Sequence, residues 1–354
     1  MANRYLCGFD DVDVTSLGYE WQINDSAYVS IVSGRVGNCL RLGPGPGGDT
    51  GGNVAVTCLP EGQQTATAGF AVRFSSVATA GPAAFMAFGD TTTTHILLRQ
   101  MAGGNIGVYR SYGVGDAPFH VAFAALLATS TVAAVANTWI TIEVKATIDD
   151  SVGAVSLRFH GATTDNVTLT GVDTRAGSTA SITRLMLANG GGQPTVDFDD
   201  VWVNDTTGSY CTGFMGDMRV DYHLPVSNGT NNGSTPSTGT DRYATIDENP
   251  PNTTDYNTLP TVGLKDTVHV ESFKNNGATI YAMQLCMVTQ KTDAGACAIQ
   301  SIIRQSGSDS AGGTDLYPST TWSTLRQNYS LASGDAKRLA AGFNACEYGY
   351  LRTV

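Results

Sequence analysis

The residues best suited to chemistry in this chain are its acids. The adjacent pairs Asp10–Asp11, Asp149–Asp150, Asp199–Asp200 and Asp247–Glu248 are the clearest groupings. Two carboxylates roughly 5–9.5 Å apart across a glycosidic bond can cleave it. That requires both on one face, and successive strand residues point to opposite faces, so Asp199–Asp200 cannot serve one cleft. Asp149–Asp150 and Asp247–Glu248 have the character of turn residues. No catalytic residue and no enzyme activity are expected.

The pattern Phe9-Asp10-Asp11-Val12 returns as Phe198-Asp199-Asp200-Val201. If these segments belong to paired terminal strands, their carboxylate and carbonyl oxygens come close enough to hold a structural Ca²⁺. The alternative is that Asp10, Asp11, Asp199 and Asp200 satisfy strand-end amides or loop hydroxyls. The residues alone leave both open, and no other cofactor is implied.

Other groupings are weaker. Gly43-x-Gly45-x-x-Gly48 formally fits a dinucleotide loop, but Pro44 and Pro46 interrupt it and no helix follows to aim amides at a phosphate. It reads as a turn. His95, His120, His160, His223 and His269 are scattered through strand patterns. The seven cysteines form no C-x-x-C pair, which excludes a zinc ribbon. Cys286 and Cys297 flank a turn at Thr292–Gly295, and a disulfide across one hairpin is an alternative to two free thiols. The opening MANRYLCGFDD has no apolar signal-peptide core, so synthesis in a reducing cytoplasm is expected.

The elements that must position these groups are strands. In Trp139–Thr147, Ile140, Ile142, Val144 and Ala146 share one face, while Trp139, Thr141, Glu143, Lys145 and Thr147 share the other. Ala154–Gly161 repeats the pattern after the turn Asp149–Gly153, giving a hairpin. Similar segments run at Ala27–Val32, Asn53–Cys58, Gly69–Phe74, Ala84–Phe88, His95–Arg99, Ile106–Tyr109, Ile182–Ala188 and Thr195–Val203. This spacing, with no helical pattern between, predicts an all-β sandwich or jelly roll over 1–207. A second β-rich domain, 208–354, begins with an Asn/Thr/Pro-rich loop at 228–260. Strands follow at Thr267–Phe273, Thr279–Thr289 and Ala296–Arg304, then a short helix capped by Ser333 over Ser333–Gly342.

Composition agrees. Of 354 residues 14% are charged, Gly numbers 41, and the net charge is −11. Sheets and tight turns suit that mixture better than helix bundles do. Lys and Arg form no cluster, which argues against nucleic acid as a partner. Phe119–Ala136 is apolar but carries His120, Thr129, Ser130 and Thr131, and reads as two buried strands with a bend rather than a membrane span.

Three stretches carry a resemblance: Cys7-Gly8-Phe9-Asp10-Asp11, Trp139-x-x-Ile142-Glu143-Val144, and Val196-Asp197-Phe198-Asp199-Asp200-Val201-Trp202-Val203. With them, 1–207 resembles the concanavalin A-like, LamG-like jelly-roll domains. That fold serves lectins, glycanases and structural modules alike. The E-x-D-x-x-E alternation of glycanases with this fold is missing here. The second region is similar to a segment of tailed-bacteriophage structural genes. The stretches that carry this are Gly216-Asp217-Met218-Arg219-Val220, Thr235-Pro236-Ser237-Thr238-Gly239, Asp247-Glu248-x-Pro250-Pro251, Thr254-Asp255-Tyr256 and Ala341-Gly342-Phe343.

The resemblance implies a virion structural protein, made in the host cytoplasm and placed in the tail or on the particle surface. Its expected partners are other tail or capsid proteins and copies of itself, with 228–260 as docking segment. Asn228, Asn232, Asp247, Glu248, Pro250, Pro251 and Tyr256 are its expected interface residues. The alternative is a glycan-binding module for host attachment, with Tyr109, Tyr112, Trp139 and Trp202 as aromatics for sugar stacking.

Overall fold

The computed structural model describes residues 3–23, 25–44, 53–79, 82–111, 124–190, 195–273 and 277–354. The chain divides into two compact units, Ala2–Val220 and Asp221–Val354.

The first unit holds fifteen strands among its described residues: β1 (Asn3–Cys7), β2 (Gln22–Ile23), β3 (Val29–Ser33), β4 (Asn38–Leu42), β5 (Asn53–Thr57), β6 (Thr65–Phe74), β7 (Ala83–Gly89), β8 (Thr94–Gln100), β9 (Asn105–Ser111), β10 (Ala124–Ala133), β11 (Trp139–Thr147), β12 (Gly153–Phe159), β13 (Val167–Val172), β14 (Arg184–Ala188) and β15 (Val196–Asp205). They form two antiparallel sheets. One has eight strands in the order β13-β12-β11-β6-β15-β4-β3, with β1 also on β15; the other has seven, β10-β9-β8-β7-β14-β5-β2. Alternate residues from both sheets meet in a single core, among them Phe70, Phe85, Phe88, Leu98, Ile142 and Phe198. This is the expected all-β jelly-roll sandwich. The terminal strands pair, Cys7 opposite Val201, as the repeated Phe-Asp-Asp-Val pattern suggested.

Three expectations change. The first unit ends at Val220, not at 207. Residues beyond Asp205 still pack on it: Asn204 donates to the Gly213 carbonyl, and Glu143 accepts from the Met215 and Gly216 amides at 2.6 and 2.9 Å. Glu143 is therefore buried, although its alternation placed it on a polar outer face. Finally, the described part of 119–136 holds one strand, β10, rather than two. Breaks in its pairing with β9, between Leu126 and Ala128 and between Thr129 and Ala133, replace the bend. No helix among the described residues is long and apolar enough to cross a membrane.

The second unit holds β16 (Pro225–Asn232), β17 (Thr235–Pro236), β18 (Asn257–Thr258), β19 (Lys265–Val270), β20 (Ala282–Thr289), β21 (Ile299–Gln305), β22 (Ser308–Ala311), β23 (Ser323–Ser330) and β24 (Glu347–Arg352). A five-stranded sheet runs β16-β19-β24-β21-β22, and β20 pairs with β23 in a separate ribbon. The ribbon packs on the sheet through Met283, Leu331, Ile303, Phe343 and Tyr348, and Ser301 Oγ lies 2.6 Å from the Tyr329 hydroxyl.

Here 228–260 is not one long loop. Its start is the second half of strand β16, residues 228–232, made of Asn, Gly and Thr and held by polar anchors instead of an apolar face. Glu347 accepts from the Thr230 amide and hydroxyl at 2.7 and 2.6 Å, and the Asn231 amide donates to Thr267 Oγ1 at 3.0 Å. Near the end of the chain, Asp335 caps a single 3₁₀ turn, and α1 (Ala340–Asn344) follows as five residues, so Ser333 is not the cap. Cys286 faces Arg326 across the β20–β23 ribbon, whereas Cys297 precedes β21 in the other sheet, and no disulfide joins the two.

Candidate functional site

The acids singled out by sequence meet around the β3–β4 turn. Gly34 to Gly37 close that turn, with the Gly34 amide donating to the Gly37 carbonyl at 2.8 Å. Asp10 accepts from the Asn38 amide at 2.6 Å, and Asp199 accepts from the Arg35 and Asp200 amides, both at 2.8 Å. Asp200, at a positive φ of 54°, accepts from the Val220 amide at 2.9 Å and pairs with Arg35 at 3.2 Å. Asp217 takes the other edge of Arg35 and also pairs with Arg219. Asp11 lies half-buried in the turn after β1. Three of the four acids therefore behave as acceptors for amides. Among the described residues no three His, Cys, Asp or Glu side chains form a group that could hold a metal ion.

Burial and then the Asp200 charge beside it push the Asp199 carboxyl up to about 7, against the pull of the Arg35, Asp200 and Val36 amides. Burial also raises Asp200, against the pull of the Val220 amide and of Arg219 and Arg35. The other acid pairs do not converge on a cleft. Asp149 accepts from the Ser151 and Val152 amides of its own turn, and Asp150 pairs with Arg175. Asp247 and Glu248 stand half-buried among bends.

The expected interface residues divide by role. The Asn228 side chain works inside the fold, accepting from the Arg242 and Tyr243 amides at 2.9 and 3.1 Å. The Asn232 amide group donates to the Gly229 carbonyl at 3.0 Å. Asn228 is half-buried, whereas Asn232 is exposed. Pro250 follows a cis peptide bond, Pro251 is half-buried, and Tyr256 is 44% exposed with its ring 6.2 Å from that of Trp322.

The aromatics considered for sugar stacking are mostly engaged. Trp202 is buried against Gly69, where any Cβ would collide with the indole. The Trp139 ring lies under the Arg73 guanidinium at 4.7 Å. Tyr112, His120 and Gly45–Gly48 lie outside the described residues. His95 is fully buried, accepts from the Ala176 amide at 3.2 Å, and is held below its ordinary value by burial.

Tyr109 leads to a group that sequence reasoning missed. On β8, Ile96 and Leu98 face the sandwich core, whereas Leu97 belongs to a second apolar cluster on the other side of the seven-stranded sheet. Arg99 shares that outer side. It is 2% exposed, its guanidinium lies 4.7 Å over the Tyr109 ring, and neither Nε nor Nη2 has a hydrogen-bond partner. Its cross-strand neighbours are Ala84 and Gly107. Burial lowers its pKa, yet arginine stays charged in proteins. A buried ion without a partner costs several kcal/mol, of which the Tyr109 face returns about 2. The only signal in the sequence was one charge directly after the apolar Ile96-Leu97-Leu98 of β8.

No family model matches the chain, nor does any curated protein. Similar solved structures include the endo-β-1,4-glucuronan lyase of the fungus Trichoderma reesei, at 14% identity and a TM-score of 0.38, covering 58% of this chain and 95% of the lyase. An alginate lyase from Chlorella virus matches at 10% and 0.39, over 54% of this chain and 96% of its own. The carbohydrate recognition domain of Emp46p matches at 10% and 0.38, over 56% and 95%. At these identities and scores no residue's role carries across.

Proposed function

We propose that this chain is a non-enzymatic structural component of a tailed-phage virion, in the tail or on the particle surface, working through protein–protein contacts. The observation that carries the reading is the uneven core. Among the described residues, fifty-two apolar side chains are buried in the first unit and only eleven in the second. A domain of over a hundred residues folding alone normally buries well over half of its chain surface. The second unit instead leaves Val226, Tyr256, Val262, Tyr281, Tyr317 and Leu339 exposed. Such a unit completes its burial against neighbours, as arrayed subunits do. The phage-like motifs of 213–354 lie in and just ahead of this unit. Immunogold imaging and mass spectrometry of purified particles test the reading: the chain is expected on the particle in many copies. Its absence from particles, or release of reducing ends from host polysaccharide by the purified chain, refutes it.

A further inference from the structure

We infer that His95 is the acid-released latch of a strap, residues 173–181, which leads from β13 towards β14 past the start of β8. Three fasteners hold the strap. The Ala176 amide donates to His95 Nδ1 at 3.2 Å. The Arg175 carbonyl accepts from Arg110 Nε and Nη2 at 3.0 and 2.7 Å, and the Thr179 hydroxyl donates to Asp90 at 2.6 Å. Gly177 lies so close to the turn between β7 and β8 that a Cβ there would meet Thr93 Oγ1 at 2.8 Å. The β7–β8 ladder is irregular between Phe88 and Gly89, and His95 falls between the paired positions Thr94 and Ile96. An irregularity of this kind re-aims a side chain, here towards the strap.

Mild acid can undo only the first fastener. An amide N–H bonds to an unprotonated ring nitrogen, so His95 is neutral with its proton on Nε2. Protonation of Nδ1 sets one N–H against another and takes the acceptor away from Ala176. Burial disfavours the imidazolium and outweighs the Asp90 carboxylate, 3.9 Å from Nε2, which favours it. Arg175 and Arg110 also face the ring and add to the effect of burial, so the closed ring titrates below its ordinary value. Asp90 is not the switch. Against the burial that raises it, bonds from Thr179, Thr92 and Thr93 hold its carboxyl below the usual range, so it stays ionised in mild acid. An open strap leaves the imidazole in water, with an ordinary pKa of about 6.5. The open state therefore takes up a proton that the closed state refuses. Closure is strongest above about pH 6.5 and weakens as pH falls below it, by up to about thirtyfold at pH 5.

Hydrogen exchange of the full chain, read by mass spectrometry at pH 7.5 and 5 and corrected for the intrinsic effect of pH, tests this. Protection of 173–181 is expected to fall at least about fivefold in acid, while that of β11 and β12 does not fall. His95→Asn places Oδ1 where Nδ1 stood and does not titrate, so its strap should be equally protected at both pH values. His95→Phe keeps a ring without an acceptor, so protection should already be at least about fivefold lower at pH 7.5. Nitrogen NMR titration of the imidazoles needs no variant: one of the five rings is expected to titrate below its ordinary value. The proposal is overturned by equal protection of the parent strap at both pH values, by an acid loss in His95→Asn as large as the parent's, by full protection in His95→Phe, or by five rings that all titrate at or above about 6.5.

Discussion

Asp199 and Asp200 are adjacent, both almost fully buried, and both bound to the same residue by different parts of it: Asp199 takes the backbone amide of Arg35, and Asp200 takes its guanidinium. The left-handed backbone at Asp200 makes this possible, because it turns the second carboxylate away from where strand alternation would send it. One residue of the β3–β4 turn is thereby clamped to the middle of β15. Asp200 extends the clamp to the Val220 amide at the end of the first unit.

The clamp gives the first unit an unusual pH dependence. Asp199 titrates near 7 in the folded chain against an ordinary 3.8, so the folded state keeps a proton that the unfolded state releases. Its contribution is complete below pH 3.8 and is lost as pH rises through 7. Its ceiling is on the order of 4 kcal/mol. Urea unfolding of the first unit at pH 4.5, 6 and 7.5 should show this decline in the parent and a flatter profile in Asp199→Asn. Parallel profiles would show that Asp199 is not the titrating group.

The same node makes a steric prediction at Gly37. Its φ is +63°, and a Cβ there would fall inside the Asp10 carboxylate. Gly171, on β13, has a similar φ of +66° but open space around it. Gly171→Ala should cost about 1 kcal/mol, the penalty for the backbone alone. Gly37→Ala should cost about 3 kcal/mol, since the Asp10 bond to Asn38 must also break. Equal costs in chemical denaturation would mean that the carboxylate moves aside freely.

These two sites show what could be read before the structure. The paired ends of the sandwich were visible because Phe9 and Phe198 bring the same apolar-acid-acid-apolar pattern to β1 and β15. The strands β6, β8, β11 and β14 were visible because their core faces are apolar. Strand β16 was not, because its Asn, Gly and Thr are held by Glu347 and Thr267 from distant strands, and local composition records no such partner. Glu143 misled for a related reason: its alternation was correct, but residues 215–216 return to cover it. Arg99 was hidden because the apolar Ile96-Leu97-Leu98 before it does not tell the outward side from the inward one.

The contact reading predicts a separable assembly defect. The rings of Tyr256, exposed, and Trp322, half-buried, lie 6.2 Å apart and tilted by 56° in the second unit, and paired aromatics of this kind anchor interfaces. Replacing both with serine should weaken self-association or particle incorporation at least tenfold while lowering the melting temperature by less than about 3 °C. Light scattering across a concentration series measures the first quantity and calorimetry the second. An unchanged mass distribution would place the contact surface elsewhere.

The buried acid of the second unit should behave as a shared acceptor. Asp266 is 1% exposed and lies 3.8 Å from Arg242. Its Oδ1 accepts from the Ser234 amide at 2.9 Å, while its Oδ2 accepts from both the Ser234 hydroxyl and, at 3.1 Å, the Tyr350 hydroxyl. Burial against that carboxylate raises the Tyr350 phenol well above its ordinary value, so it remains a donor at any pH the protein survives. Ser234→Ala and Tyr350→Phe should each cost about 1–3 kcal/mol by leaving Oδ2 short of a donor. Because both serve one oxygen, their effects should not add. With a single donor left, the remaining bond becomes harder to lose, so the double variant should be less stable than the sum of the singles by about 1 kcal/mol. A strictly additive cycle in denaturant titrations followed by Trp322, the only tryptophan of the second unit, would show that each hydroxyl is replaced independently by water.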